Sequence, residues 1–206
     1  AALGRGGRAF IDSLIEARFS VWQLLPLGPT GPGGSPYWVR SDYAGNASFL
    51  DRNELPDCNE RGEGREANEY QAFLQDSREW LEDYALFEVL SARHQSLPWW
   101  RWPVEYRDRD ADALAHIKHA RREDLERIYL EQFAFAGQWR RLRQYAHERG
   151  VRLFGDVPFY VAPDSAETWA NREQFQLKES GEPKAVAGVP PDYFSQLGQL
   201  WGNPLY

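Results

Sequence analysis

The stretch VRLFGDVPFYV, residues 151–161, decides the fold. Val151, Leu153, Val157, Phe159 and Val161 share one parity, with Gly155 between them, so the run reads as a strand whose side chains alternate between two faces. It follows directly on a helical pattern from about Glu123 to Arg149, carried by Leu125, Ile128, Tyr129, Phe133, Trp139, Leu142 and Ala146. That pattern stops at Gly150, a residue type suited to the left-handed position after a helix. Far upstream, VWQLLPL at 21–27 is short, almost wholly apolar and closed by Gly28 and Pro29, as in a buried parallel strand. An amphipathic helix between Arg8 and Phe19 leads into it, with Phe10, Ile11, Leu14 and Ile15 at helical spacing. Strand, loop, long helix and strand again make an α/β arrangement. Asp156 then falls near the C-terminal end of its strand, where parallel α/β folds build their sites.

Between the two strands the chain changes character twice. Residues 28–37, GPTGPGGSPY, hold too much Gly and Pro for a helix or a central strand. No Gly-Lys-Ser/Thr follows and no dinucleotide-binding spacing is present, so this is not read as a phosphate loop. From Asp51 to Pro103 the sequence turns polar and helical, which predicts an inserted helical subdomain at about 51–103. In it Trp80, Tyr84, Phe87 and Leu90 lie along one face, with Ser77 placed as an N-cap. Trp99, Trp100 and Trp102 in LPWWRWP are bulky for a linker, and docking of the insert onto the main body is the preferred reading over contact with a polymeric ligand.

Composition narrows the partners. With 24 basic against 31 acidic residues, a net charge of −7 and no long block of either sign, nucleic acid is disfavoured. No stretch approaches the roughly 20 apolar residues of a membrane span, and no charged-then-apolar signal region opens the chain. A lone Cys58 cannot form an internal disulfide, which points to a reducing compartment. His94, His116, His119 and His147 are scattered. His116 and His119 share a helical spacing without carboxylates in a metal-binding pattern, so no metal or other cofactor is expected. No serine sits in a Gly-x-Ser-x-Gly elbow. Asp164 and Glu167, three apart after Pro163, read as helix-start residues rather than an acid/base pair.

The last fifty residues carry the functional signal. Nine Trp, ten Tyr, 13 Pro and 17 Gly already suggest loops that present aromatic surfaces. These residue types concentrate in DSAETW (164–169), AGVPPDYFS (187–195) and WGNPLY (201–206). A glucose ring has apolar C–H faces and a rim of hydroxyls, so a protein grips it with aromatic planes and edge-on carboxylates or amides. Tyr193, Phe194, Trp201 and Tyr206 supply planes; Asp192, Gln199 and Asn203 supply edges. The same residues also pack ordinary long loops, so on residue types alone both readings stay open.

At WQLLPLGPTGPGGSPY, SDYAGN, GDVPFYVAPDSAETWA, AGVPPDYFS and GQLWGNPLY the chain closely resembles the 4-α-glucanotransferases known as amylomaltase or disproportionating enzyme. The likeness runs from about residue 4 to the end and is tightest at 22–51 and 150–206. It implies an α/β fold of (β/α)8 TIM-barrel type with a helical insertion. It also implies a cytoplasmic enzyme that moves α-1,4-glucan segments between malto-oligosaccharides, or glucans derived from starch or glycogen. In that family an Asp forms a glycosyl-enzyme intermediate and a Glu acts as acid and then base, with retention of configuration.

Carried over by motif, the resemblance assigns Tyr37 of SPY and Asp156 of GDVPFYV to the donor side of the scissile bond. Tyr193 and Phe194 fall in a mobile loop over the acceptor sites, and Trp201, Gly202 and Asn203 where that loop returns. The nucleophile and acid/base of the family are expected beyond Tyr206. On this reading residues 1–206 form a partial catalytic barrel, inactive by itself. A noncatalytic glucan-binding module and an α-glucan hydrolase of the same clan are the alternatives.

Overall fold

A computed structural model describes residues 2–55 and 65–206, so Cys58 lies outside the described residues. In chain order the elements are α1 (Arg5–Glu16), β1 (Val21–Gln23), α2 (Arg65–Asp76), α3 (Leu81–Arg93), α4 (Val104–Arg107), α5 (Ala111–Ala120), α6 (Arg122–Glu148), β2 (Arg152–Phe154), α7 (Ala166–Ala170), β3 (Val186–Val189) and β4 (Gln199–Pro204). They belong to two units. One comprises Ala1–Pro29, Tyr43–Leu81 and Glu126–Val157, the other Thr30–Asp42, Glu82–Leu125 and Pro158–Tyr206. The helical stretch expected as one insert at 51–103 is divided between them, with the break between Leu81 and Glu82.

In the first unit β1 and β2 pair in parallel, in the register Val21 with Arg152, Trp22 with Leu153 and Gln23 with Phe154. The long helix α6 precedes β2, as the sequence predicts, and Gly150 closes it at φ +73°. Trp22 and Leu153 turn toward a core of Leu3, Ile11, Leu50, Ala134, Phe135, Leu142, Ala146 and Val151. Two buried glutamines on α6 tie the chain crossing that core. Gln132 exchanges hydrogen bonds with Gly45 N and O at 2.8 and 2.9 Å, and Gln138 does the same with Asp51 at 2.8 and 2.9 Å. Each amide thereby satisfies a backbone pair that would otherwise be buried unpaired. Gly45 is required there, because a Cβ would meet the Phe135 ring at 2.1 Å.

The strands are shorter and more open than the sequence predicts. The sequence predicts a buried strand over 21–27, yet β1 spans three residues with Val21 and Gln23 exposed. β2 likewise leaves Phe154 exposed, and Val157 and Phe159 beyond it are exposed too. The reason is physical: β1 and β2 have only each other among the described residues, and a central parallel strand is buried by neighbours on both sides. On α1, Ile11 is fully buried while Phe10 and Ile15 remain partly exposed, so the apolar stripe is only half covered.

The second unit is built on aromatic rings. Phe87 of α3 packs on Trp102 at 5.5 Å and on Trp169 of α7 at 6.2 Å, and Trp102 meets Trp169 edge-on at 5.7 Å. The indole N–H groups find carbonyls: Trp99 donates to Pro163 O at 2.8 Å, Trp102 to Leu97 O at 2.9 Å and Trp169 to Tyr106 O at 3.0 Å. Trp99 and Trp102 of LPWWRWP are therefore core residues of this unit. The Arg109 guanidinium lies 4.3 Å from the Trp169 ring centre, a cation–π contact. Of the expected face, Tyr84, Phe87 and Leu90 of α3 are buried, while Trp80 precedes the helix and is only partly buried; Ser77 acts through its carbonyl, which accepts from Leu81 N at 3.0 Å.

Candidate functional site

The hairpin β3–β4 places most of the residues singled out by sequence. Its strands pair antiparallel, Val186 with Pro204, Gly188 with Leu200 and Val189 with Gln199, with an irregularity between Val186 and Gly188. Gly198 (φ +72°) lets the chain return, since a Cβ there would press on Val189 O at 2.5 Å. The tip is organised by Asp192, whose Oδ1 accepts from Phe194 N at 2.9 Å and Ser195 N at 2.7 Å, an Asx-type turn. That turn holds Tyr193 and Phe194 outward at 96% and 90% exposure, with their rings perpendicular at 5.6 Å. Exposure this complete has no folding rationale, since both rings cost hydration that burial would relieve.

Where the hairpin returns, Trp201 is partly exposed, meets Tyr160 edge-on at 5.8 Å and donates from Nε1 to Gln199 Oε1 at 3.2 Å. Asn203 departs from the expected edge-on sugar contact. It is buried, and its Nδ2 donates to Val161 O at 3.0 Å, which fixes β4 against the segment after β2. Tyr206 does similar work, its hydroxyl donating to Phe159 O at 2.7 Å.

Tyr37 belongs to the same unit. Its loop is closed by the Gly31 N to Trp38 O bond at 2.8 Å and an antiparallel bridge between Thr30 and Val39. Trp38 then reaches the returning strand, where a Cβ on Gly202 (φ +86°) would sit 3.2 Å from its ring. Tyr37, half exposed, is thus carried on a loop that abuts the β4 segment bearing Trp201. Asp156 lies two residues beyond β2, in the first unit, and is partly buried. The structure therefore brings Tyr37, Tyr193, Phe194, Trp201 and Asn203 into one unit and assigns Asp156 to the other.

Sequence reading missed a group of buried acids in the second unit. α7 begins as expected after the Ser165 cap, but Glu167 in its first turn points inward. Its Oε1 accepts from the buried Ser41 hydroxyl at 2.5 Å, and its Oε2 is buried with no hydrogen-bond partner. Burial, reinforced by the charge of Asp42, pushes the Glu167 carboxyl up to about 7. Asp42, also desolvated, is pushed up to about 6. Asp164 is raised by burial as well, although it accepts from Trp99 N at 3.1 Å. Among the described residues no group of three His, Cys, Asp or Glu could hold a metal ion.

The family pattern described as 4-alpha-glucanotransferase matches residues 2–66 and 57–206, and the chain belongs to that family. A 4-alpha-glucanotransferase of Thermus thermophilus is 41% identical over 239 residues, covering 99% of this chain and 48% of the relative. A chloroplastic or amyloplastic one of Arabidopsis thaliana is 35% identical over 242 residues, covering 99% of this chain and 42% of the relative. The structure of amylomaltase from Streptococcus agalactiae in complex with acarbose superposes with a TM-score of 0.88 at 31% identity, covering 99% of this chain and 49% of that one. The chain thus spans about half the length of the relatives it matches. The Thermus alignment is also longer than the 206 residues here, so that relative carries residues inside the aligned stretch that this chain lacks.

Proposed function

We propose that this chain is the substrate-holding part of a 4-α-glucanotransferase. The enzyme cuts an α-1,4 bond in a malto-oligosaccharide and transfers the glucan to the 4-hydroxyl of another, by a retaining double displacement. The observation that carries the reading is the hairpin tip: two aromatic rings held almost wholly in solvent by a dedicated turn, in a chain whose length is matched by the family pattern. Tyr193 and Phe194 receive the acceptor glucan and shield the intermediate from water, which favours transfer over hydrolysis. Trp201 continues that apolar surface. Asn203 serves by holding β4 in place through Val161.

On the donor side, Tyr37 and Asp156 are the residues assigned to the sugar next to the scissile bond. The nucleophile and acid/base come from the remaining half of a (β/α)8 barrel, of which β1 and β2 are two strands. The acarbose complex of the Streptococcus protein supports an oligosaccharide as the ligand class. Among the described residues no helix is long and apolar enough to cross a membrane, and the cytoplasm is the compartment we assign, with plastids the alternative that the Arabidopsis relative raises.

The test is Asp156→Ala in a full-length enzyme containing this chain. A carboxylate gripping sugar hydroxyls as charge develops contributes on the order of 2 to 4 kcal/mol to transition-state binding. Turnover of maltotriose is expected to fall by about two to three orders of magnitude with little change in unfolding temperature. Undiminished kinetics in the folded variant would remove Asp156 from the donor site.

A further inference from the structure

The loop that carries Tyr37 returns through residues 38–41, and each of them is fastened within the second unit. Trp38 O accepts from Gly31 N at 2.8 Å, Val39 forms the bridge to Thr30, and Arg40 O accepts from Ala166 N of α7 at 2.9 Å. The Arg40 side chain turns to α3, where its Nε donates to Glu88 Oε1 at 2.6 Å and its guanidinium lies 4.9 Å from the Phe87 ring centre. Ser41 is fully buried, and its hydroxyl donates to Glu167 Oε1 at 2.5 Å. The Asp42 backbone N–H bonds the same carboxyl. On its other side α7 is held by Thr168, whose Oγ1 donates to Ala162 O at 2.8 Å, one residue beyond the Val161 carbonyl that accepts from Asn203. This short helix therefore joins the Tyr37 loop to the segment that fastens β4.

Resting on the functional reading above, we propose that Glu167 is a positioning residue: by accepting the Ser41 hydroxyl it holds the loop that presents Tyr37 to the donor sugar. A carboxyl is a demanding choice for that task, since an amide oxygen would accept the same bond without a charge. Glu167 Oε2 is buried with no hydrogen-bond partner, so the ionised form leaves charge uncompensated. The groups around it bring no relief. Asp42 adds a like charge, Arg40 is engaged with Glu88, and Asp164 accepts from Trp99 N. Burial, reinforced by Asp42, places the loss of the proton at about 7. Below that pH the neutral acid holds Ser41. Above it, hydration of the carboxylate competes with the Ser41 bond and the loop loosens.

The experiment measures maltotriose disproportionation at pH 6 and pH 8 by a full-length enzyme containing this chain, as wild type, Glu167→Gln and Glu167→Ala. Dividing each variant by wild type at the same pH cancels the titration of the reacting carboxyl groups. Glu167→Gln keeps an acceptor that does not ionise. It is expected to match wild type at pH 6 and to exceed it in kcat/KM by roughly tenfold at pH 8, one unit above the midpoint. In a Ser41→Ala background that gain should disappear, because the bond it protects is gone. Glu167→Ala strands the buried hydroxyl and should lower kcat/KM by about tenfold or more at both pH values, more through KM than kcat. Amide exchange in the same proteins reads the loop without activity. Exchange at Gly31 should quicken by about tenfold in Glu167→Ala, while Gly45, held by Gln132 in the first unit, stays unchanged. Should Glu167→Ala fail to fold, the Glu167→Gln ratio decides. A ratio that stays flat between the two pH values, or Gly31 exchange unmoved in a folded Glu167→Ala, would overturn the proposal. An enzyme that makes no product at all would count against the transferase reading, and the exchange result would then decide the role of Glu167 alone.

Discussion

Each unit carries a two-stranded sheet with large apolar side chains in solvent, but for different reasons. In the first, three-residue parallel strands expose Val21 and Phe154 because neighbours that would cover them are missing among the described residues. In the second, the β3–β4 hairpin is complete: its turn is bonded by Asp192, its return is made possible by Gly198, and β4 is fastened by Asn203 to Val161. Tyr193 and Phe194 are exposed there because the backbone was built to expose them. Exposure of apolar side chains therefore has a different cause in the two sheets, and the local hydrogen bonding tells them apart.

If the second unit rests on its own aromatic core, breaking that core has the largest effect. Trp169→Ala removes a fully buried ring, with its hydrogen bond to Tyr106 O and its contact with Arg109, and is expected to cost about 3 to 5 kcal/mol in urea unfolding. A loss below about 1 kcal/mol would show that the unit is held some other way.

The next effect concerns the buried acids. A carboxyl with a raised folded-state pKa contributes stability that is fully present below its unfolded value and lost as pH rises through the folded one. For Asp42 and Glu167 the window runs from the ordinary carboxylate range up through about 6 and 7. The second unit should gain stability from them as pH falls from 8 toward 5. His94 works in the opposite direction. Burial first, then Arg93, lowers its pKa, so its contribution is present above the ordinary histidine value and lost as pH falls. Glu167→Gln keeps an acceptor for Ser41, removes the buried charge, and is expected to stabilise the protein at pH 8 by on the order of 3 kcal/mol. The gain should vanish near pH 4. Thermal unfolding at the two pH values reads it, and an equal effect at both would disprove the charge argument.

The smallest effect on folding belongs to the hairpin tip. Tyr193→Ala with Phe194→Ala should move stability by no more than about 0.5 kcal/mol, since neither ring is buried. In a full-length enzyme the same pair should raise free glucose relative to longer products from maltotriose. An unchanged product ratio would leave the exposed rings without a role, and the contrast between the two sheets would lose its functional side.

Features set by local pattern could be read before the structure: α6 and its Gly150 stop, the parallel order of β1 and β2, the helical face of α3, the helix start at Asp164 and Glu167. Features set by distant partners could not. Glu167 reads locally as a helix-start residue, but its buried position goes with Ser41, 126 residues away. Asn203 carries the residue type of a sugar-binding edge, and only the position of Val161 shows that its amide is already engaged. The 51–103 stretch reads as one helical insert because nothing local marks the division after Leu81. A motif fixed what kind of residues to look for, while packing fixed which of them are free to act.

The central claim is that this chain holds glucan and that the reacting carboxyl groups come from elsewhere. Its most direct test is to incubate the purified 206-residue chain with maltotriose and quantify glucose and longer oligosaccharides by anion-exchange chromatography. Retaining transfer needs two carboxyl groups roughly 5 Å apart in different protonation states. The account predicts no product above the protein-free control. Sustained release of glucose together with maltopentaose from the chain alone would contradict it.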